Sequence, residues 1–281
     1  MSALRLDGRL AAASQKEELQ QVFATLARPL TLAVVLPTTD LSSASYRKAR
    51  ERLAKDLGVH LKTVEYDHLP TAHELQTTLR LLCEDSEVDG IMVDRPLPPG
   101  VSDRDVDFAI DPDKDVDGCH PINAGRLMQV DASALVPSTA LAVLALLRYY
   151  HIDLYGKQAV VVGRSKTVGA PTAQLLLQEQ ATVTVAHSKT KNVRALTQQA
   201  DLVVVAVGKA ELLDESYFDP HATVIDVGIH VLPDGHLCGD VRASVSEHVA
   251  AYSPVPGGVG PLTNLALMTN LLHAYQNKGG R

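Results

Sequence analysis

The stretch Gln158-Ala159-Val160-Val161-Val162-Gly163-Arg164-Ser165-Lys166-Thr167-Val168-Gly169-Ala170-Pro171 decides how this chain is read. A continuous β-branched run that stops at a glycine is a strand buried on both faces, as in a parallel sheet. Residues 171–180 then carry a helical pattern. Strand, glycine turn and helix start, in that order, gather backbone N–H groups and the positive end of a helix dipole where a phosphate can bind. The spacing is not G-x-G-x-x-G, since Arg164 and Ser165 follow the first glycine. It is not a P-loop either, since no Gly-Lys-Ser/Thr closes it. An ordinary strand-to-helix turn is the alternative.

Outward from this loop the alternation continues. Thr182–Ala186, residues 202–207 and residues 223–227 read as strands, residues 139–150 and 193–200 as helices. The result is a Rossmann-type half that begins after Pro137. Upstream, residues 30–36, 61–66 and Gly90–Val93 are strand-like. Residues 42–57, closed by Gly58, and residues 71–85 are helical. A first α/β unit thus occupies about 120 residues. Ser253-Pro254-Val255-Pro256-Gly257-Gly258-Val259-Gly260-Pro261 is expected to be an ordered loop, followed by a last helix over residues 262–276.

Composition narrows the function classes. The chain has 281 residues, 46% hydrophobic and 21% charged, enough to bury a core. Its formal net charge of −7 argues against a general nucleic-acid surface. No apolar run reaches the ~18–20 residues of a membrane span. The first residues carry no long apolar leader. Cys83, Cys119 and Cys238 are scattered without a C-x-x-C, so neither a disulfide framework nor a metal site is expected, and a reducing cytoplasm fits.

The end of the second strand of the Rossmann half selects the cofactor. NAD sites place an acid there for the ribose hydroxyls. Here the strand ends Ala186-His187-Ser188-Lys189-Thr190-Lys191, which offers hydroxyls, lysines and an imidazole but no acid. With Arg164 and Ser165 on the neighbouring loop, a 2′-phosphate is favoured, hence NADP. Lys189 and Lys191 as plain solvated charges are the alternative. In the first unit, Tyr46 and Arg50 stand at i and i+4 on one helix face, able to polarise a substrate or simply to pack phenol on guanidinium stem. Lys114-Asp115-Val116-Asp117-Gly118 places two carboxylates two residues apart, as a site or as an acidic surface turn.

Seven segments together carry a resemblance. They are Asp89-Gly90-Ile91-Met92-Val93-Asp94-Arg95-Pro96-Leu97-Pro98, Lys114-Asp115-Val116-Asp117-Gly118, Asn123-Ala124-Gly125-Arg126-Leu127, Gly163-Arg164-Ser165, His187-Ser188-Lys189-Thr190, Asp226-Val227-Gly228-Ile229 and Pro254-Val255-Pro256-Gly257-Gly258-Val259-Gly260-Pro261. In order and spacing, over almost the whole chain, they resemble the bifunctional methylenetetrahydrofolate dehydrogenase/methenyltetrahydrofolate cyclohydrolase family.

The resemblance implies an α/β fold of two domains with a cleft between them. Residues 1–136, completed by residues 262–281, would bind folate, and residues 137–261 would form a Rossmann-type NADP domain. It implies a cytoplasmic homodimer of one-carbon metabolism, with no nucleic-acid or membrane partner. Tyr46, Arg50, Asp94 and Asp117 fall on the catalytic positions. Ser43, Tyr46, Val93, Arg95, Pro256 and Gly257 fall on the substrate side. Gly163, Arg164, Ser165, Ser188 and Ile229 fall on the NADP side.

Two departures touch the catalytic set. Arg50 stands where the family has Lys, and Asp94 where it has Gln. Pro137-Ser138-Thr139-Ala140-Leu141-Ala142 also replaces the family's Pro-Cys-Thr-Pro-x-Gly, and Arg95 an apolar residue. Hydride transfer needs alignment, but hydrolysis of the methenyl group also needs a group that moves protons. Arginine stays protonated in proteins. Dehydrogenase activity with a weak or lost cyclohydrolase is therefore expected. A paralogue with a new substrate and a non-catalytic NADP or folate binder are the other readings. Asp94 could pair with Arg50 or with Arg95, and could in principle serve as a substitute base.

Overall fold

Thr31-Leu32-Ala33-Val34-Val35-Leu36 and Leu202-Val203-Val204-Val205 are apolar without alternation, and each becomes an inner strand of a parallel sheet. The computed structural model describes residues 3–38 and 44–279, the side chains of residues 44–46 excepted. The chain opens with β1 (Leu4–Arg5) and α1 (Gly8–Ala24). A first α/β run follows: β2 (Thr31–Leu36), α2 (Ala44–Leu57), β3 (His60–Glu65), α3 (Ala72–Glu84), β4 (Gly90–Val93), α4 (Asp103–Asp107) and α5 (Pro121–Met128). The second run is α6 (Ser138–Tyr149), β5 (Gln158–Val162), α7 (Gly169–Gln178), β6 (Thr182–Ala186), α8 (Val193–Thr197), β7 (Leu202–Val205) and β8 (Thr223–Asp226). It ends with the hairpin β9 (His230–Val231) and β10 (Leu237–Cys238), then β11 (Ala251–Tyr252) and α9 (Gly260–Asn277).

These elements divide into two units, Gln15–Ser138 with Asn264–Arg281, and Met1–Ser14 with Thr139–Thr263. The first holds a three-stranded sheet in the order β3-β2-β4, with both pairings parallel. The second holds a six-stranded sheet in the order β1-β11-β8-β7-β5-β6, parallel throughout. Strand β3 lies at an edge and β6 at another, which explains their polar content, His60, Lys62 and Glu65 in one and Thr182 and Thr184 in the other.

The first strand pairs outside the three-stranded sheet. The first residues belong with the six-stranded unit, because β1 pairs with β11 through Leu4 with Ala251 and Arg5 with Tyr252. A two-residue strand is too short to leave a periodic signal. The expected loop over residues 253–261 also ends earlier, since α9 starts at Gly260. Pro261 sits in the first turn of that helix, where its missing N–H has no intrahelical acceptor to lose. Among the described residues no helix is long and apolar enough to cross a membrane. All three cysteines are free.

Helix α5 ends in a Schellman motif with an unusual occupant. The N–H of Asp131 donates to the Arg126 carbonyl at 2.9 Å and that of Val130 to the Leu127 carbonyl at 3.2 Å. This geometry puts Val130 at φ +57°, in the left-handed region, although its side chain is branched at Cβ and 67% exposed. Glycine occupies such a position without a Cβ clash. Val130→Gly is therefore expected to raise stability by about 1 kcal/mol, read as a higher denaturant midpoint at unchanged slope. Val130→Ile should gain nothing.

Candidate functional site

In the three-stranded unit the site is built at the carboxyl ends of the strands, where open α/β sheets place ligands. The ladder between β2 and β4 runs one residue past β4, the Asp94 N–H donating to the Val35 carbonyl at 2.9 Å. Residues 114–116 lie parallel to β4 on its other side. The Ile91 N–H donates to the Lys114 carbonyl at 2.7 Å, and Ile91 bridges Asp115. Period two along this strip brings Asp117 to Val93, whose backbone N–H helps hold its carboxylate. Gly118 follows at φ +66°, where a Cβ would lie 2.5 Å from the Val136 carbonyl carbon, so only glycine passes.

Asp94 pairs with Arg50, which resolves the open choice. The guanidinium binds it end-on and bidentate, Nη1 to Oδ1 at 3.1 Å and Nη2 to Oδ2 at 3.1 Å. Arg47, one turn earlier on α2, adds Nε to Oδ2 at 3.3 Å. Arg50 is buried, 5% exposed. Arg95 turns instead to Asp103 at 3.2 Å and Asp107 at 3.3 Å. Burial pushes the Asp117 carboxyl up to about 6. Arg95 and Arg50 pull it down, the Val93 N–H does likewise, and Asp94 pushes it up.

The neighbouring acid has a different task. Asp115 is 1% exposed and accepts the His120 N–H at 2.7 Å and an Asn123 Nδ2–H at 3.3 Å, which fastens the start of α5. Burial lifts it to about 7. Lys114 is buried with Nζ on the carbonyls of Cys83 at 2.8 Å and Asp85 at 2.7 Å, closing the C-terminal end of α3.

The expected substrate-side residues are thus only partly gathered. Arg50, Asp94, Arg95, Asp117 and the backbone of Val93 come together, the Val93 side chain being buried at 3% exposed. Ser43 lies outside the described residues. Tyr46 falls within α2, four residues before Arg50, with its side chain outside them. Pro256 and Gly257 belong to the other unit. There Gly257, at φ +105°, accepts the Gly8 N–H on its carbonyl at 2.7 Å. Arg47 was not among the sequence candidates, although its i, i+3 spacing to Arg50 was a usable signal.

In the six-stranded unit Gly163, Arg164 and Ser165 leave the carboxyl end of β5. A Cβ on Gly163 (φ +132°) would collide with the Ala206 carbonyl, and one on Gly169 with the Gly163 carbonyl. The Ser165 hydroxyl accepts the N–H groups of Val168 at 3.2 Å and Gly169 at 3.3 Å, shaping the turn into α7. Arg164 and Ser188 are exposed. The Gly163 N–H donates to the Ala186 carbonyl at 2.8 Å, so the turn that carries Ser188 adjoins the glycine loop. Ile229 is 45% exposed. Its loop is held by two acids that sequence reasoning assigned no role. Asp226 accepts N–H groups of Gly228, Asp240 and Val241 at 2.9–3.0 Å, and burial raises it to about 6. Asp240, fully buried, accepts those of Val207, Gly208 and Lys209 at 2.6–3.0 Å and meets His230 Nε2 at 2.8 Å.

A glycine loop of close approach, a ten-residue helix behind it and a cationic, hydroxyl-bearing rim with no acid at the end of β6 fit a dinucleotide carrying a 2′-phosphate. Residues 137–279 match the family model described as the NAD(P)-binding domain of tetrahydrofolate dehydrogenase/cyclohydrolase, and residues 6–117 match its catalytic domain. The chain belongs to the tetrahydrofolate dehydrogenase/cyclohydrolase family. It is 42% identical to the bifunctional protein FolD of Chloroflexus aggregans over 285 residues, covering 100% of both chains. It is similar to the crystal structure of the bifunctional FolD enzyme from Campylobacter jejuni, with a TM-score of 0.94 and 38% identity over 99% of this chain and 100% of that one. A Trypanosoma brucei methylenetetrahydrofolate dehydrogenase-cyclohydrolase, solved with NADP cofactor and an inhibitor, superposes with a TM-score of 0.91 at 33% identity, each chain 99% covered. The catalytic-domain match thus spans the three-stranded sheet, and the NAD(P)-binding match spans every strand of the six-stranded sheet but β1.

Asp117 couples this site to stability. Its folded pKa of about 6 lies above the ~3.9 of an unfolded aspartate, so the folded state holds the proton more tightly. That contribution is complete below about pH 4 and is lost as pH rises through 6. Asp117→Asn should stabilise the protein at pH 8 by on the order of 1–2 kcal/mol and by clearly less at pH 4–5, measured as unfolding free energies in parallel buffers. A gain independent of pH would show that Asp117 is not buried as a strained carboxylate.

Proposed function

We propose that this chain oxidises 5,10-methylenetetrahydrofolate to 5,10-methenyltetrahydrofolate with NADP, and hydrolyses the methenyl product to 10-formyltetrahydrofolate only weakly. The carrying observation is the bidentate Arg50–Asp94 pair, reinforced by Arg47. NADP, when bound, supplies the hydride acceptor. Gly163, Arg164, Ser165, Ser188 and Ile229 bind and orient it, with Arg164 and Ser188 on the 2′-phosphate. The Asp117 carboxylate accepts N–H groups of the pterin, and Ser43, Tyr46, Val93, Arg95, Pro256 and Gly257 complete the folate contacts. Alignment of this kind carries most of a hydride transfer.

Hydrolysis asks more of the same residues. A proton must leave the attacking water and another must reach the opening ring. Arginine gives up no proton near neutral pH. Both oxygens of Asp94 are occupied by guanidinium N–H groups, which opposes its service as a substitute base. The protein is further proposed to be a cytoplasmic homodimer through its NADP-binding unit. Val231 and Leu237, exposed at 72% and 43% on the β9–β10 hairpin of that unit, support this reading.

Two measurements test the function. In a stopped assay with NADP and methylenetetrahydrofolate, methenyl product should accumulate and decay little faster than without protein. General acid–base groups contribute ~10²–10⁴-fold, so Arg50→Lys combined with Asp94→Gln should accelerate that decay visibly. Efficient hydrolysis by the unaltered protein would reject the proposal. Separately, Asp117→Ala should weaken folate binding by roughly 1–3 kcal/mol while NADP binding holds. Unchanged folate affinity would return Asp117 to a purely structural role.

A further inference from the structure

The turn at the end of β6 presents Ser188 to the nucleotide, and an aspartate, which could brace such a turn through its side chain, would repel a 2′-phosphate. We infer that His187 is the positioning residue that resolves this conflict, holding the 187–190 turn in shape without adding negative charge. The inference rests on the reading of Ser188 proposed above.

Three local hydrogen bonds close the turn. The Lys189 N–H donates to His187 Nδ1 at 3.1 Å. The His187 N–H donates to the Thr190 hydroxyl at 2.9 Å. The Thr190 N–H donates to the His187 carbonyl at 2.8 Å. Every N–H from residue 187 to residue 190 is thereby engaged except that of Ser188, the exposed residue at the tip. The turn adjoins Gly163, whose N–H reaches the Ala186 carbonyl, so it is fixed at both its base and its crown.

The His187 bond has the pattern of an Asx turn. In that motif an Asp or Asn side-chain oxygen accepts the N–H two residues on. Here the imidazole Nδ1 takes that place as the acceptor. The position is also the one where NAD enzymes carry an acid for the ribose hydroxyls. A carboxylate at 187 would satisfy the turn and oppose the phosphate. An imidazole satisfies the turn and leaves Arg164 and Ser188 to the phosphate. His187 is thus a determinant of NADP preference that acts through the backbone it holds.

The test is calorimetric titration of the full-length protein with NADP and, separately, NAD. His187→Ala should weaken NADP binding by about five-fold, the loss of one hydrogen bond's ordering, with NAD binding nearly unchanged. His187→Asn restores an acceptor of the same reach and should recover NADP affinity. His187→Asp also restores the turn, but should lower the NADP-to-NAD affinity ratio by on the order of ten-fold, because its charge faces the phosphate. Equal losses of NADP and NAD in His187→Ala, or an Asn variant as weak as the Ala variant, would overturn the inference. Ser188→Ala separates the two layers of the argument. An unchanged ratio there rejects the Ser188 reading itself. A lowered ratio there with an unchanged one in His187→Ala rejects the role of His187 alone.

Discussion

The strip from Lys114 to Gly118 is the constraint on which the folate-side unit depends. It adds to the free side of β4 through Ile91 and converts sequence neighbours into four separate anchors. Lys114 closes α3, Asp115 starts α5, Asp117 reaches the strand ends beside Val93, and Gly118 lets the chain pass Val136. Asn270 of α9 locks the strip from beyond, donating to the carbonyls of Val116 at 2.8 Å and Val136 at 2.7 Å. Buried carbonyls need such partners, and a single asparagine satisfies two of them.

This placement explains why an unfavourable carboxylate persists. Asp117 and Asp115 are both raised by burial, which opposes folding above their pKa values. Asp115 is compensated by two N–H donors at the start of α5. Asp117 is compensated instead by the Val93 N–H and by the nearby cations Arg95 and Arg50. The Arg50–Asp94 pair makes the opposite exchange. It pairs a buried guanidinium with a carboxylate whose side chain is 11% exposed, and it occupies both carboxylate oxygens.

The NADP-binding unit meets the same problem, irregular backbone at strand ends, by another route. Asp226 and Asp240 each gather three backbone N–H groups, which orders the loops after β7 and β8. Around β5 and β6 the work falls to glycines of close approach and to short side chains that accept from nearby N–H groups, Ser165 in one turn and His187 with Thr190 in the other. Loops braced in this way can present exposed residues without relying on them for shape.

Much of this was legible in the sequence. Continuous apolar runs such as 202–205 and 31–36 declare inner parallel strands, because a strand covered on both faces cannot alternate. The Gly163-Arg164-Ser165 loop and the missing acid after Ala186 declare the nucleotide chemistry, because local spacing sets what a backbone turn can hold. Other features were decided only by tertiary structure. Asp94 faced two candidate arginines at similar reach, and the choice of Arg50 depended on where α2 packs against the strand ends. That β1 joins β11, that Asp115 and Asp117 part company after two residues, and that Asp240 braces three distant N–H groups all follow from long-range pairing. Such pairing leaves no periodicity in the chain, since its partners are separated by many residues and set by the closing of the sheets.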